Sequence, residues 1–280
     1  MQAILAEPHR SCDAAINRNP HLPKLNSLER ILALLDVFAE DHLEWTPDEL
    51  MEALGYSRPT LYRYLKILKE AGFVTSMPSG GFALGPRVVE LDFLMRKSDT
   101  LLLYAKPHME AFAATWPCAA LLVRWYGNKL LVVASETQTP DLENDYPRGR
   151  PLPLSRGAIS RAIMSVLNKR KLEPIIEANR AELAAVGLGS DTNAVLSELR
   201  RIRRRGYAVA VDELTKGVTG IASPIFDGGK TPIGTFCITI ADESAAPDVV
   251  ERIGERVREA AADISTRLAA DRRAADSESS

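Results

Sequence analysis

SRPTLYRYLKILKEAG, residues 57–72, is the most informative segment of the chain. Leu61, Leu65 and Leu68 recur at i, i+4 and i+7, the inward stripe of an amphipathic helix that Gly72 ends. At 100° per residue, Pro59, Tyr62, Arg63, Lys66 and Glu70 fall on the opposite face. Arg58 and Thr60 lie in the first turn. The segment before it, TPDELMEALG (46–55), carries a helix start: an N-cap threonine, a proline in the first turn and a capping-box acid at Glu49. Leu50, Ala53 and Leu54 are its expected inward face, and Gly55 its stop. Upstream, Leu28, Ile31, Leu32, Leu35 and Phe38 form another helical stripe, with Ser27 as the expected cap. Downstream, FVTSMPSGGFALG (73–85) reads as two short strands around a Pro-Ser-Gly-Gly turn. Three helices followed by a small hairpin is the order of a winged helix-turn-helix.

That order gives the outer face of 57–72 a purpose. The first turns of a recognition helix reach base edges in the major groove of double-stranded DNA. Arg63 can donate two bonds to guanine, and Thr60 and Tyr62 can bond phosphates or bases. Lys66 and Lys69 suit phosphates, and Ser79-Gly80 with Gly81 makes a small wing tip able to lie along the backbone. Charge placement agrees. Residues 26–98 hold eight Lys/Arg against eleven Asp/Glu, net −3, yet 57–69 hold four bases and no acid, while six acids sit in 40–52. Taken alone, 57–69 is equally a solvated amphipathic helix; the ordered neighbours favour DNA. So weak a total charge implies weak binding by one copy. A homodimer or homotetramer on half-sites about one helical turn apart, or a multiple of it, would supply the remaining phosphate contacts.

Composition bounds the rest. At 280 residues two domains are expected. The net charge of −2 says nothing for or against nucleic acid. Cys12, Cys118 and Cys237 are far apart and in no CxxC pair, which suits a reducing cytoplasm and argues against a zinc site or disulfide framework. No apolar run approaches a membrane span or a signal-peptide core. None of the four histidines lies beyond His108, so the larger C-terminal part lacks the commonest general base and metal ligand. No cofactor, metal or catalytic residue is expected, and the chain reads as a regulator rather than an enzyme.

The chain divides into a flexible tail at 1–24, the winged helix-turn-helix at 25–85, a connecting helix at 86–106, a mixed and largely antiparallel α+β domain at 107–271, and a frayed tail at 272–280. Within the large domain, CAALLVRWYGNKLLVVASET reads as two strands joined at Gly127-Asn128. Helices are expected at 156–167, 169–180, 191–205 and 248–270. YAVAVDE, VTGIASPIF and PIGTFCITI are the remaining strands.

Five stretches together resemble the IclR family of bacterial regulators: LNSLERILALLDVF, TPDELMEALGYSRPTLYRYLKIL, GFALGPRVVEL, GRPLPLSRGAISRAIM and LRRIRRRGYAVAVDELTKGVTGIASPIFD. They stand in the family's order and spacing across residues 25–270. The resemblance implies a linker helix that helps dimerise and a GAF-like C-terminal domain that binds a small metabolite, usually an organic acid. It implies an effector pocket lined by Asp212, by Gly220 on the following strand, by Cys237 and Thr239 on a late strand, and closed by a helix beginning at Gly157-Ala158-Ile159. RNA polymerase is a further possible partner of such a regulator. This chain departs from relatives at Ser155-Arg156, at Arg161, at Gly220 and in the Cys-Ile-Thr of the late strand. Strand periodicity puts Ala208, Ala210 and Asp212 on one face, and Cys237 and Thr239 on one face of theirs. Small and polar side chains on one sheet face can line a cavity. Arg124, Arg148, Arg150 and Arg156 are candidate partners for an effector carboxylate, each with a surface role as the commoner alternative. Trp116, Trp125 and Tyr126 are candidates for core packing or for stacking on a ligand. Two other readings stand beside this one. A ligand-independent protein would bind its operator indifferently to metabolites. An enzyme with an appended helix-turn-helix would show turnover lost with Asp212→Ala.

Overall fold

The computed structural model describes residues 26–139, 146–229 and 231–278, so the expected tail at 1–24 lies outside them. The chain forms two compact units, Met1–Ser98 and Asp99–Ser280.

In the first unit, helix α1 (Ser27–Asp36) begins one residue earlier than its expected cap would place it. Asn26 is the N-cap: its side chain accepts the Leu28 and Glu29 N–H groups at 2.9 and 3.0 Å, while Glu29 accepts the Asn26 N–H at 2.7 Å. The inward stripe also differs. Leu34 is buried, with Ile31, Leu35 and Phe38 packed beside it, whereas Leu28 and Leu32 are 73% and 60% exposed. Helix α2 (Pro47–Leu54) has the expected capping box between Thr46 and Glu49 and ends at Gly55, whose φ is +66°. Leu50 is buried and Leu54 half-buried, but Ala53 faces outward. Helix α3 (Arg58–Glu70) buries Leu61, Leu65, Leu68 and also Tyr64. Strands β1 (Val74–Ser76) and β2 (Phe82–Leu84) pair antiparallel, and Trp45 bridges to Phe82 on the far side of β2. Helix α4 (Arg87–Ser98) follows.

The expected single helix at 86–106 is two. Asp99 interrupts it and caps α5 (Thr100–Thr115) by accepting the Leu101 and Leu102 N–H groups. Pro107 sits inside α5, so the second unit begins before the proline and not at it.

The second unit is built on one antiparallel sheet in the order β5-β4-β3-β8-β7-β6. Its strands are β3 (Cys118–Trp125), β4 (Leu130–Thr137), β5 (Pro151–Leu152), β6 (Ala208–Val211), β7 (Val218–Phe226) and β8 (Pro232–Ala241). Helices cover both faces. On one lie α6 (Ala158–Val166), α7 (Lys169–Ala178), α8 (Arg180–Ala185) and α9 (Thr192–Arg205); on the other lie α5 and α10 (Pro247–Glu278). Two-sided burial explains the unbroken apolar run of β3. Ala119, Leu121 and Val123 point to the α6–α9 layer, and Cys118, Ala120 and Leu122 to the α5–α10 layer. Helix α9 starts at Asp191, whose carboxylate accepts the Asn193 and Ala194 N–H groups, and stops at Gly206 (φ +87°). Helix α10 runs on to Glu278, so most of 272–280 is helical and not a frayed tail.

The fit of α10 to the sheet depends on Gly254. A methyl group there would collide with the buried Tyr207 ring. Gly254→Ala is expected to lose about 1–3 kcal/mol of stability through overpacking. Denaturant unfolding monitored by circular dichroism measures this; an unchanged midpoint would show that Tyr207 yields freely.

Candidate nucleic-acid interface and effector cavity

Helix α3 turns its polar face to solvent. Arg58, Pro59, Tyr62, Arg63 and Lys66 are exposed, and Thr60 is half-buried. The Ser57 hydroxyl donates to the Thr60 Oγ1 at 3.0 Å, tying the start of the helix together. The Arg58 guanidinium lies 6.0 Å from the Tyr62 ring centroid, and the Arg63 guanidinium lies 5.1 Å from that of Tyr64. Arg63 also donates to the Tyr64 hydroxyl at 3.4 Å. Tyr64 thus anchors the stem of Arg63 from within the core. Reading only the leucines hides Tyr64, although its place three residues after Leu61 and four before Leu68 marks it as inward. Lys66 pairs loosely with Glu70 at 3.8 Å across exposed side chains, an interaction that a phosphate can replace at little cost.

Two expected backbone contacts are occupied within the protein. Lys69 donates to the Ser76 hydroxyl at 2.8 Å, bracing α3 against β1. At the wing tip the Ser79 hydroxyl donates to Glu44, and Gly81 packs on the same side chain, which a Cβ at 81 would have to push aside. Gly80, with φ +89°, is exposed and has open space where a Cβ would stand.

In the second unit a cavity of about 20 Å³ lies between the sheet and the start of α6. Its sheet side is made of Ala210, Gly220, Cys237 and Thr239, small groups in register across three strands: Ala210 opposite Gly220, and Gly220 opposite Thr239. Thr239 donates to the Ala119 carbonyl at 3.3 Å. Burial pushes the Cys237 thiol up to about 12, so it stays protonated and acts as a small apolar group. The helix side is Gly157, Ala158 and Ile159, all buried. Gly157 has φ +92°, and a Cβ there would meet Leu214 at 2.7 Å. Gly220, Cys237, Thr239, Gly157, Ala158 and Ile159 are therefore brought together as expected from the sequence.

Asp212 is not with them. Strand β6 ends at Val211, and Asp212 turns into the left-handed region at φ +58°, so alternation does not carry to it. It is exposed, and its carboxylate accepts the Gly217 N–H at 2.5 Å. The acid that lines the cavity is its neighbour. Glu213 accepts the Gly157 N–H at 2.7 Å and forms an ion pair with Arg161, the two side chains being 9% and 12% exposed. Arg161 also donates to the Val186 carbonyl at 2.8 Å. Leu214 and Thr215 complete this side, Thr215 within 3.0 Å of the Tyr146 hydroxyl. None of the lining residues is basic. Of the candidate arginines, Arg124 pairs with Asp99 at 2.5 Å, Arg148 donates to the Val133 carbonyl, and Arg150 and Arg156 are exposed. Trp125 and Trp116 pack into the two sheet layers, and Tyr126 is 44% exposed.

Comparison with known proteins agrees with both units. Residues 27–78 match the IclR helix-turn-helix domain, and residues 96–266 match the C-terminal domain of the bacterial transcriptional regulator IclR. The HTH-type transcriptional regulator KipR of Bacillus subtilis is 27% identical over 247 residues, 88% of this chain and 98% of its own. The Pca regulon regulatory protein of Pseudomonas putida is 25% identical over 206 residues, 72% of this chain and 70% of its own. Among solved structures, an IclR family transcriptional regulator from Brucella abortus superposes with a TM-score of 0.71 at 20% identity, covering 86% of this chain and 92% of that one. An IclR homolog from Microbacterium hydrocarbonoxydans, complexed with 4-hydroxybenzoate, does so with a TM-score of 0.70 at 23% identity, covering 88% and 100%. These two neighbours establish the fold, and the two matched domains establish the kinship: the chain belongs to the IclR family of DNA-binding bacterial transcription regulators.

Proposed function

We propose that this regulator reads its operator with α3 and that a small organic or aromatic acid, held in the cavity beside α6, changes its affinity for that operator. The observation that carries the first half is the exposed face of Arg58, Tyr62, Arg63 and Lys66 on a helix whose other face is buried. Arg63 is the base reader, stacked and steered by Tyr64; Arg58 and Lys66 serve the phosphates, and Gly80 lets the wing lie along the backbone. The second half rests on the floor of small side chains at Ala210, Gly220, Cys237 and Thr239, and draws on the relative complexed with 4-hydroxybenzoate. The acting species is a homodimer or a dimer of dimers. Helix α4 buries no residue and exposes Val89, Phe93, Leu94 and Met95 by 69%, 60%, 53% and 53%. So much apolar surface on one helix fits an interface between copies. The protein works in the cytoplasm, where the operator is; among the described residues no helix is long and apolar enough to cross a membrane.

Selection of genomic fragments bound by the purified chain, near physiological salt and with or without 4-hydroxybenzoate, tests the proposal. Enrichment of sites with half-site symmetry is expected; no enrichment from folded protein under either condition would refute it. On an enriched site, Arg63→Ala is expected to lose about 1–3 kcal/mol and to relax preference at one base position. Equal loss on all sequences would make Arg63 a phosphate contact. Gly220→Val, which fills the cavity, is expected to keep operator affinity and abolish the acid response in a gel-shift titration. A retained response would place the effector elsewhere.

A further inference from the structure

The cavity has room for about one water molecule. An organic acid therefore enters only if a wall moves, and a wall that belongs to no helix or strand is the connection between β6 and β7. Its hinges are Asp212 and Gly217, with φ of +58° and +77°; Asp212 is the one non-glycine residue with positive φ among those described. Between them, three consecutive side chains fasten the connection down. Glu213 is bonded to the Gly157 N–H and paired with Arg161; Leu214 lies against Gly157; and Thr215 bonds Tyr146.

Glu213 is the polar one of the three that matters for an anion. Its carboxylate sits on a backbone donor at the start of α6 and on a buried guanidinium, partners that suit a ligand's carboxylate equally well. Glu213 is also the one acidic residue lining the cavity, and no basic one does. A carboxylate effector that came in beside it would add a second negative charge in a nearly dry site, at high cost. Exchange removes that cost. If the effector takes the Gly157 N–H and Arg161 while Glu213 swings out to solvent, the buried site holds one negative and one positive charge before and after.

We propose that Glu213 is a built-in competitor for the effector: it holds the 212–217 connection shut as a stand-in carboxylate, and a monocarboxylate effector opens the connection by replacing it on Gly157 and Arg161. This rests on the effector reading of the cavity given above. It assigns to Glu213, not Asp212, the acidic residue's part in the response, and makes it a part in opposition to the ligand.

Calorimetric titration of the full chain with 4-hydroxybenzoate and with its uncharged amide tests this. A competent state populated at about 1–10% lowers apparent affinity by that fraction. Removing the competitor with Glu213→Ala or Glu213→Gln is therefore expected to tighten 4-hydroxybenzoate binding about tenfold or more, and to tighten the amide, which cannot pair with Arg161, by less. Acid binding that is unchanged, weaker or undetectable in both variants would overturn the proposal. Hydrogen exchange on the unmodified chain gives a reading independent of how the variants fold. Saturating 4-hydroxybenzoate should keep the Gly157 amide protected while the amides of 214–217 exchange faster; slower exchange at 214–217 would also overturn it. Adding Gly220→Val to Glu213→Ala separates the two ideas. Tight binding that survives the filled cavity removes the effector reading itself, whereas binding abolished by Gly220→Val but not tightened by Glu213→Ala removes the competitor alone.

Discussion

Burial of a single antiparallel sheet on both faces is the constraint from which the second unit follows. With helices on either side, the central strands β3, β7 and β8 have almost no solvent face to spare, and each residue's parity assigns it to one layer or the other. Large residues fill most of both layers: Leu121 and Val123 on one, Leu122, Phe236 and Ile238 on the other. A cavity survives only where short side chains fall in register. Ala210, Gly220 and Thr239 do so across β6, β7 and β8, and the row continues to Ala119 on β3. Slipping β6 by one residue would put Val209 or Val211 into this row and close it. The site is thus a property of strand register as much as of residue choice.

The first unit solves a different problem, that of presenting positive charge from a net-negative body. It does so by separation. Over residues 26–98, four of the eight bases lie along α3, and six of the eleven acids cluster before and within α2. Glu44 is the instructive exception, because it reaches the wing tip and holds Ser79 and Gly81. An acid beside a surface meant to approach phosphate is unfavourable, and its hydrogen bonding to the wing offsets this by fixing the turn. Lys69 shows the same economy from the other side: a base spent on bracing α3 to β1 and not left free for DNA.

The winged-helix order and the largely antiparallel α+β domain were legible in the sequence because each rests on a local period, whereas most of the cavity lining came from the family resemblance with strand alternation in support. Capping boxes, glycine stops and alternation in β6 and β8 are all short-range signals. What escaped did so for nameable reasons. The break at Asp99 falls in the polar run RKSDT (96–100), whose capping signal was masked by the apolar residues on either side of it. Tyr64 is amphipathic, and its hydroxyl hid its burial. The inward stripe of α1 was misplaced because Leu28, Leu32, Leu34 and Leu35 leave two faces apolar, and only packing chooses between them. The family resemblance and an alternation extended one residue past the end of β6 both point Asp212 at the pocket, and a left-handed turn there cancels the alternation.

That turn bears on how acids are used in this fold. Asp212 and Glu213 are adjacent and chemically alike, yet one side chain sits in water capping a turn and the other is nearly enclosed. The difference is produced by backbone alone: the left-handed residue sends the chain back over α6 and carries Glu213 inward. Enclosing a carboxylate is expensive, and an ion pair seldom repays the whole desolvation penalty. The Arg161–Glu213 pair is thus a poor device for stability, and replacing both by apolar residues of similar shape would hold the fold as well. It makes better sense as a device for discrimination. A buried guanidinium that must always face a carboxylate accepts a second one only in exchange for the first, and rejects uncharged groups of the same shape, which would leave it unpaired.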